Sequence, residues 1–339
     1  MKLALAPIPY YWTKEEIYGF YAKVRDVPVD IVYLGETVCV RRNALTFDDW
    51  MDVGQNLVKA GKEIVMASQV LVESDESFQA LMRMLTGSGS AANDERSQLT
   101  DSLDGQGSER MALPSAPLPA HPDRFMMMDG AQRHVLVEAN DMGAVRLLGG
   151  QSPFVAGMHL NIYNPESLKL LVDQGAKRWV MPLEMSRHDL QQMLPLKEDV
   201  EVEVFAYGRI PLAFSARCFT ARHASLPKDD CHSQCLKYPE GLALKTQEQL
   251  DFLVLNGPQT LSHRVYCLLH AVPDLKKIGV DIVRIVPQRE HTARVVRLFA
   301  EMIQGSISLQ DAERELLEVM PSAPCNGYWH QQPAMEYVR

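Results

Sequence analysis

The stretch Phe154-Val155-Ala156-Gly157-Met158-His159-Leu160, followed by Pro165-Glu166 through to Gly175 and then Arg178-Trp179-Val180-Met181-Pro182-Leu183, holds a whole structural unit. A short apolar run gives way to a helix opened by proline and closed by glycine, and a second apolar run follows. A strand, a crossover helix and a strand in that order require the two strands to lie parallel. Working outward, the same pattern predicts strands at Leu3–Pro9, Asp30–Gly35, Glu63–Ser68, His134–Ala139, Glu201–Tyr207 and Asp281–Val286. With the two quoted runs they make eight, the number that closes a (β/α)8 barrel. The expected fold is therefore α/β, a TIM-like (β/α)8 barrel, intact or distorted.

Helices fill the intervals. Thr46-Phe47-Asp48-Asp49 offers an N-cap and an acidic first turn, with Gly61 at the far end, and Ser186 is a further N-cap. A long helix is expected from about Glu290, and an acidic one near Leu309–Met320. Two segments break the rhythm. Residues 86–122, rich in Gly, Ser, Asp, Asn and Pro, predict a flexible insertion. Arg209 to Thr260 is an excursion after the seventh strand that carries three of the six cysteines. The expected organisation is one barrel domain over 1–85 and 123–320, the insertion, and a C-terminal tail over 321–339. No internal repeat is visible.

Lys and Arg number 34 against 43 Asp and Glu, a net charge of −9, which argues against broad electrostatic binding of nucleic acid. No run approaches the ~20 apolar residues of a membrane-spanning helix. The N-terminal apolar run is broken by Pro7 and Pro9 and reads as a first strand rather than a leader, so a cytoplasmic protein is expected. Six cysteines in 339 residues are too few for a disulfide scaffold. No G-x-S-x-G, H-E-x-x-H, phosphate-cradling glycine loop or nucleotide fingerprint occurs, so no catalytic triad can be argued.

Cys218, Cys231 and Cys235 follow the seventh strand as C-x12-C-x3-C, and Cys39 lies just past the second strand. Every strand of such a barrel ends on the same face, so the two loops are expected to meet. Four thiolates suit a soft metal centre, either an iron–sulfur cluster or zinc. Zinc ribbons usually pair their cysteines twice, whereas two of these stand alone, which is commoner around a bulkier cluster. A radical enzyme would place a third cysteine where Tyr238 stands. Cys267, in an expected helix over Ser262–Leu269, and Cys325, in a C-terminal loop, read as packed thiols.

Glu36, Gln69, Asn140, Asn161 and Glu184 occupy the C-terminal ends of expected strands, the functional face of a barrel. Of these, Glu36, Asn140, Asn161 and Glu184 are candidate substrate-binding residues, the alternative being loop-fixing hydrogen bonds. Arg41, Arg42 and Arg217 flank the cysteines, and Arg41 is a candidate for binding a dicarboxylate. His223 and His232 lie between cysteines and are expected near the site or exposed.

The run Glu203-Val204-Phe205-Ala206-Tyr207-Gly208-Arg209-Ile210-Pro211-Leu212-Ala213-Phe214-Ser215-Ala216-Arg217-Cys218 resembles the signature of the collagenase-like peptidase (U32-type) family. Its strand, glycine, serine and final cysteine match; Pro211 replaces the signature's first cysteine and Ala216 its glycine. With Cys39 and Cys231-His232-Ser233-Gln234-Cys235, these departures resemble the branch serving oxygen-independent ubiquinone biosynthesis. The resemblance implies an oxidoreductase, a hydroxylase subunit active as a heterodimer with a second family member, UbiU. It implies a 4Fe–4S cluster on Cys39, Cys218, Cys231 and Cys235, and hydroxylation of the aromatic ring of a prenylated precursor. Prephenate would be the oxygen source, and a lipid-carrier accessory protein would present the substrate. A peptidase or an RNA-hydroxylating relative is the alternative within the family.

Overall fold

A computed structural model describes residues 1–86, 135–197 and 199–338. The insertion expected over 86–122 lies outside the described residues, save Thr86, and so does His134 of the fourth expected strand.

Eight parallel strands close on themselves. β1 (Lys2–Leu5), β2 (Ile31–Leu34), β3 (Glu63–Ala67), β4 (Leu136–Ala139), β5 (Phe154–Ala156), β6 (Ala176–Val180) and β7 (Glu201–Phe214) pair in sequence order. β11 (Ile282–Ile285) then bridges β7 and β1. The architecture is the (β/α)8 barrel that the alternating pattern predicts. Its strands are buried on both faces and read as near-continuous apolar runs for that reason.

Around the barrel lie α1 (Lys14–Val24), α2 (Phe47–Lys59), α3 (Asp75–Thr86), α4 (Met142–Leu148), α5 (Pro165–Asp173), α6 (Arg187–Met193), α7 (Phe219–His223), α8 (Val272–Ile278), α9 (Thr292–Gln304) and α10 (Leu309–Val319). Thr13, Thr46 and Ser186 close reciprocal capping boxes with Glu16, Asp49 and Asp189. These caps fix where α1, α2 and α6 begin, and with them the loops at the barrel mouth.

The excursion after the seventh strand is an antiparallel sheet rather than a loop. β7 runs on for 14 residues, well past the barrel rim. On its overhang packs β10 (Gln259–Cys267), then β9 (Asp251–Asn256), then β8 (Leu242–Lys245). Pro211 is tolerated in β7 because it pairs with Leu261 beside a register irregularity, where a missing N–H costs little. Gly208 marks the rim at φ 143°, and a Cβ there would lie 2.6 Å from the Cβ of Val286. The helix expected over Ser262–Leu269 is corrected to strand: this segment pairs with β7 and buries Ser262, Val265, Tyr266 and Cys267. A short β12 (Pro324–Cys325) adds to β10.

Candidate functional site

Cys39, Cys218, Cys231 and Cys235 line one small cavity, together with Tyr11, Arg41, Arg42, Lys228, Ser233 and Gly257. Cys39 comes from the loop after β2 and the others from the segment between β7 and β8. Cys218 caps α7, its sulfur accepting from Ala221 N at 3.4 Å. Between Cys231 and Cys235 the chain reverses through His232 and Ser233, both left-handed at φ 47° and 53°. Non-glycine residues in that region are strained, and such strain gathers at functional sites. The Cys218 thiol hydrogen-bonds Cys235, which holds Cys235 below the ordinary thiol range and Cys218 above it, with Arg42 adding to the pull on Cys235. Burial pushes Cys39 up. Among the described residues no group of three or more His, Cys, Asp or Glu side chains is gathered to hold a metal ion.

Arg42 organises this end of the barrel. It is 6% exposed. Its Nη1 donates to Pro9 O at 2.8 Å and its Nη2 to Asn256 Oδ1 at 2.7 Å. Its Nε is buried with no hydrogen-bond partner, and the residue lines the cysteine cavity. Gly257, at φ 65°, is needed here: a Cβ would sit 3.1 Å from Arg42 Nη2 and 3.6 Å from Cys235 Sγ. Thr220 Oγ1 accepts from Gly257 N at 3.0 Å, tying α7 to the turn between β9 and β10. Four thiols, a buried guanidinium with an unused N–H, and a glycine that keeps the wall open form a donor set compatible with a sulfur-held cluster.

Glu36 lies beneath the Cys39 loop, accepting from Val38 N at 2.8 Å and Cys39 N at 3.1 Å, 3.9 Å from Arg42 Nη1. Burial pushes its carboxyl up to about 7 against the opposing pull of Arg42 and the two backbone donors. Arg41 borders the cysteines, but its guanidinium is held by Asp229 at 2.6 Å. His232 is exposed, 3.4 Å from Asp230, and His223 meets the edge of Tyr238. Arg217 is exposed. Cys267 and Cys325 are buried away from the cavity, each pushed up to about 12 chiefly by burial.

A second cavity of about 70 Å³ opens at the barrel mouth, and Asn140 lines it. Asn140 Nδ2 donates to Ser68 O at 3.1 Å, which fixes its side chain. Asn161 and Glu184 line neither cavity. Asn161 is the left-handed residue that ends a turn, and Glu184 accepts from Tyr163 Oη at the surface.

The residues that sequence reasoning missed stand beneath this second cavity. Arg284 Nε donates to Glu203 Oε1 at 2.6 Å and its Nη1 to Glu138 Oε1 at 2.7 Å. Tyr33 Oη donates to Glu203 Oε2 at 2.5 Å, and Arg178 meets Tyr33, Glu63 and Glu201 lower down. The barrel interior is thus a charge network, not an apolar plug. The available signal was a charged residue set inside an apolar strand: Glu138, Arg178, Glu203 and Arg284 each interrupt one. Glu203 is also the first residue of the signature run.

A profile described as peptidase family U32 matches residues 133–339. Over 152 residues, 43% of this chain, the sequence is 22% identical to tRNA hydroxylation protein P1 of Bacillus subtilis (strain 168), and that match spans 36% of the relative's length. The chain therefore corresponds to about a third of this curated relative. Among solved structures it is similar to the U32 peptidase Mk0906, at 12% identity and a TM-score of 0.41, covering 85% of this chain and 93% of that one. A tryptophan synthase from M. tuberculosis aligns at 10% identity and a TM-score of 0.36, over 89% of this chain and 87% of that one. With a family profile spanning more than half of its length, the chain belongs to peptidase family U32.

Proposed function

We propose that this chain is a UbiV-like iron–sulfur subunit of an O2-independent hydroxylase that acts on the aromatic ring of ubiquinone precursors. The observation that carries the reading is the meeting of Cys39, Cys218, Cys231 and Cys235 around one cavity. These four residues would hold a 4Fe–4S cluster, which supplies one-electron transfer when bound. The four thiols reach one cavity from two separate stretches of chain, an arrangement that suits an iron–sulfur cluster. Arg42 opposes the negative charge that four thiolates bring, and its unused Nε is a donor for sulfur. Glu36 orders the Cys39 loop through two backbone N–H groups. The partner in this reading is UbiU, the oxygen donor is prephenate, and a lipid-carrier protein presents the prenylated ring to the cytoplasmic complex.

A second reading, hydroxylation of a transfer RNA, is favoured by the similarity to tRNA hydroxylation protein P1. A net charge of −9 opposes it, since phosphate contacts supply most of RNA affinity. A peptidase reading draws only on the family's name.

Anoxic co-purification with UbiU, followed by iron and acid-labile sulfide analysis, tests the proposal. A brown protein with iron and sulfide in equal amounts is expected; colourless, iron-free protein from anoxic cells overturns it. In an anaerobic deletion strain, unhydroxylated quinone precursors should accumulate. Normal quinone with loss of a tRNA hydroxylation would establish the second reading instead.

A further inference from the structure

In the ring of helices, α1 packs against α2 on one side and stands off α9 on the other. The gap holds a cavity of about 450 Å³, within the roughly 300–1,000 Å³ of small-molecule sites. Glu16, Gly19, Phe20, Lys23 and Val24 line it from α1, and that i, i+3, i+4, i+7, i+8 spacing is one face of a helix. The cavity is therefore elongated along α1, and Glu16 to Val24 covers about 12 Å at 1.5 Å per residue. Gly19 keeps this face open, since a Cβ there would meet nothing within 4 Å. A glycine inside a helix weakens it, and neither a positive φ nor a helix end asks for one at this position.

The lining decides which ligand fits. Trp12, Phe20, Val24, Val27, Val29 and Val296 supply apolar walls, and Phe20 is left partly exposed. Lys23 and Arg289 stand against Glu16 and Glu290, so the charged groups at the lining cancel. Arg289 Nη2 donates to Glu16 Oε1 at 2.7 Å, an ion pair that bridges from the chain before α9 to α1. A partner helix, about 10 Å across, would overfill a space of this length and volume. We infer that the cavity between α1 and α9 is a binding site for an uncharged linear hydrocarbon chain laid along α1.

A bound chain touches the cysteine-bearing segment through one side chain. Trp12 lines the cavity, and its Nε1 donates to Pro239 O at 2.7 Å, four residues past Cys235. Neither a cluster nor the proposed reaction is needed for the site to fill, because binding is read without turnover.

1-Decanol, 1-hexanol and decanoate are titrated into the full chain, with binding followed by saturation-transfer NMR. 1-Decanol should bind saturably and at least ~10-fold more tightly than 1-hexanol, because four further methylenes leave water. Decanoate should bind no more tightly than 1-decanol. Gly19→Phe, which fills the gap from α1, should abolish binding of 1-decanol without lowering the melting temperature, since the added side chain enters open space. No saturable binding of 1-decanol, equal affinity for the two alcohols, tighter binding of decanoate, or 1-decanol binding unchanged in Gly19→Phe overturns the inference. Should Gly19→Phe fail to fold, Ala293→Leu, which fills the same space from α9, decides it by the same readout.

Discussion

Arg42 and Asn256 meet at 2.7 Å, Nη2 to Oδ1, although one follows β2 and the other ends β9. This contact is what brings the Cys39 loop to the turn that carries Gly257, and both partners also bind the carbonyl of Pro9. Replacing Asn256 by Leu removes two buried donors and an acceptor while leaving the guanidinium half-satisfied. The expected cost is roughly 1–3 kcal/mol. It should appear as a lower melting temperature together with reduced iron retention in the anoxically purified protein; unchanged values for both would show that the contact is incidental.

The six cysteines should separate into two classes. Cys39→Ala or Cys218→Ala is expected to lower iron and sulfide content sharply, because each thiol lines the shared cavity. Cys267→Ala and Cys325→Ala, both buried elsewhere with thiols pushed up by desolvation, should leave metal content intact and lower stability only as small core deletions do. Metal analysis of the four variants makes the comparison.

Glu203 is fully buried and accepts from both Arg284 and Tyr33. Glu203→Ala strands a buried guanidinium and should cost roughly 3–5 kcal/mol. Urea unfolding would read this as a lower midpoint at unchanged slope. A loss under about 1 kcal/mol, the range of an exposed pair, would mean that the interior network is solvated.

Acid should weaken the fold through His159. Its folded value of about 4 lies below the ordinary 6.5. Between those values the unfolded chain binds a proton that the folded chain refuses, so stability falls as the pH drops from about 6.5 towards about 4. The term is roughly 3 kcal/mol at most. His159→Gln should flatten that limb of the stability curve relative to the unsubstituted protein, with the neutral-pH value little changed.

Gly208 at φ 143° faces Val286 with no room for a side chain. Gly208→Ala should cost roughly 1–3 kcal/mol from backbone strain alone, and the clash with Val286 adds to it. A melting temperature equal to that of the parent would contradict the close approach.

The barrel was legible because its signals are local. Thr46 and Ser186 announce their helices, and eight apolar runs announce the staves. The convergence of Cys39 with Cys218, Cys231 and Cys235 on one cavity follows from a single topological fact, that parallel staves end on one face. Asn161 and Glu184 satisfy the same rule and still line neither cavity, since loop length and a local partner such as Tyr163 decide where a mouth residue points. The interior network was not legible because which alternate residues face inward depends on the stagger of the closed sheet. The overhang of β7 was hidden by Pro211, which reads as a breaker unless its neighbour across the sheet is known.

β7 is at once a stave of the barrel and the stem of the antiparallel extension. A one-residue slip anywhere along it would turn Glu203 out of the interior and rotate Cys218 away from Cys39 in the same movement. The turn from Thr246 to Leu250, at the far end of the extension, lies outside that constraint. Relatives of this chain should vary freely in the number of residues at that tip, while the distance from Glu203 to Cys218 stays fixed to the residue.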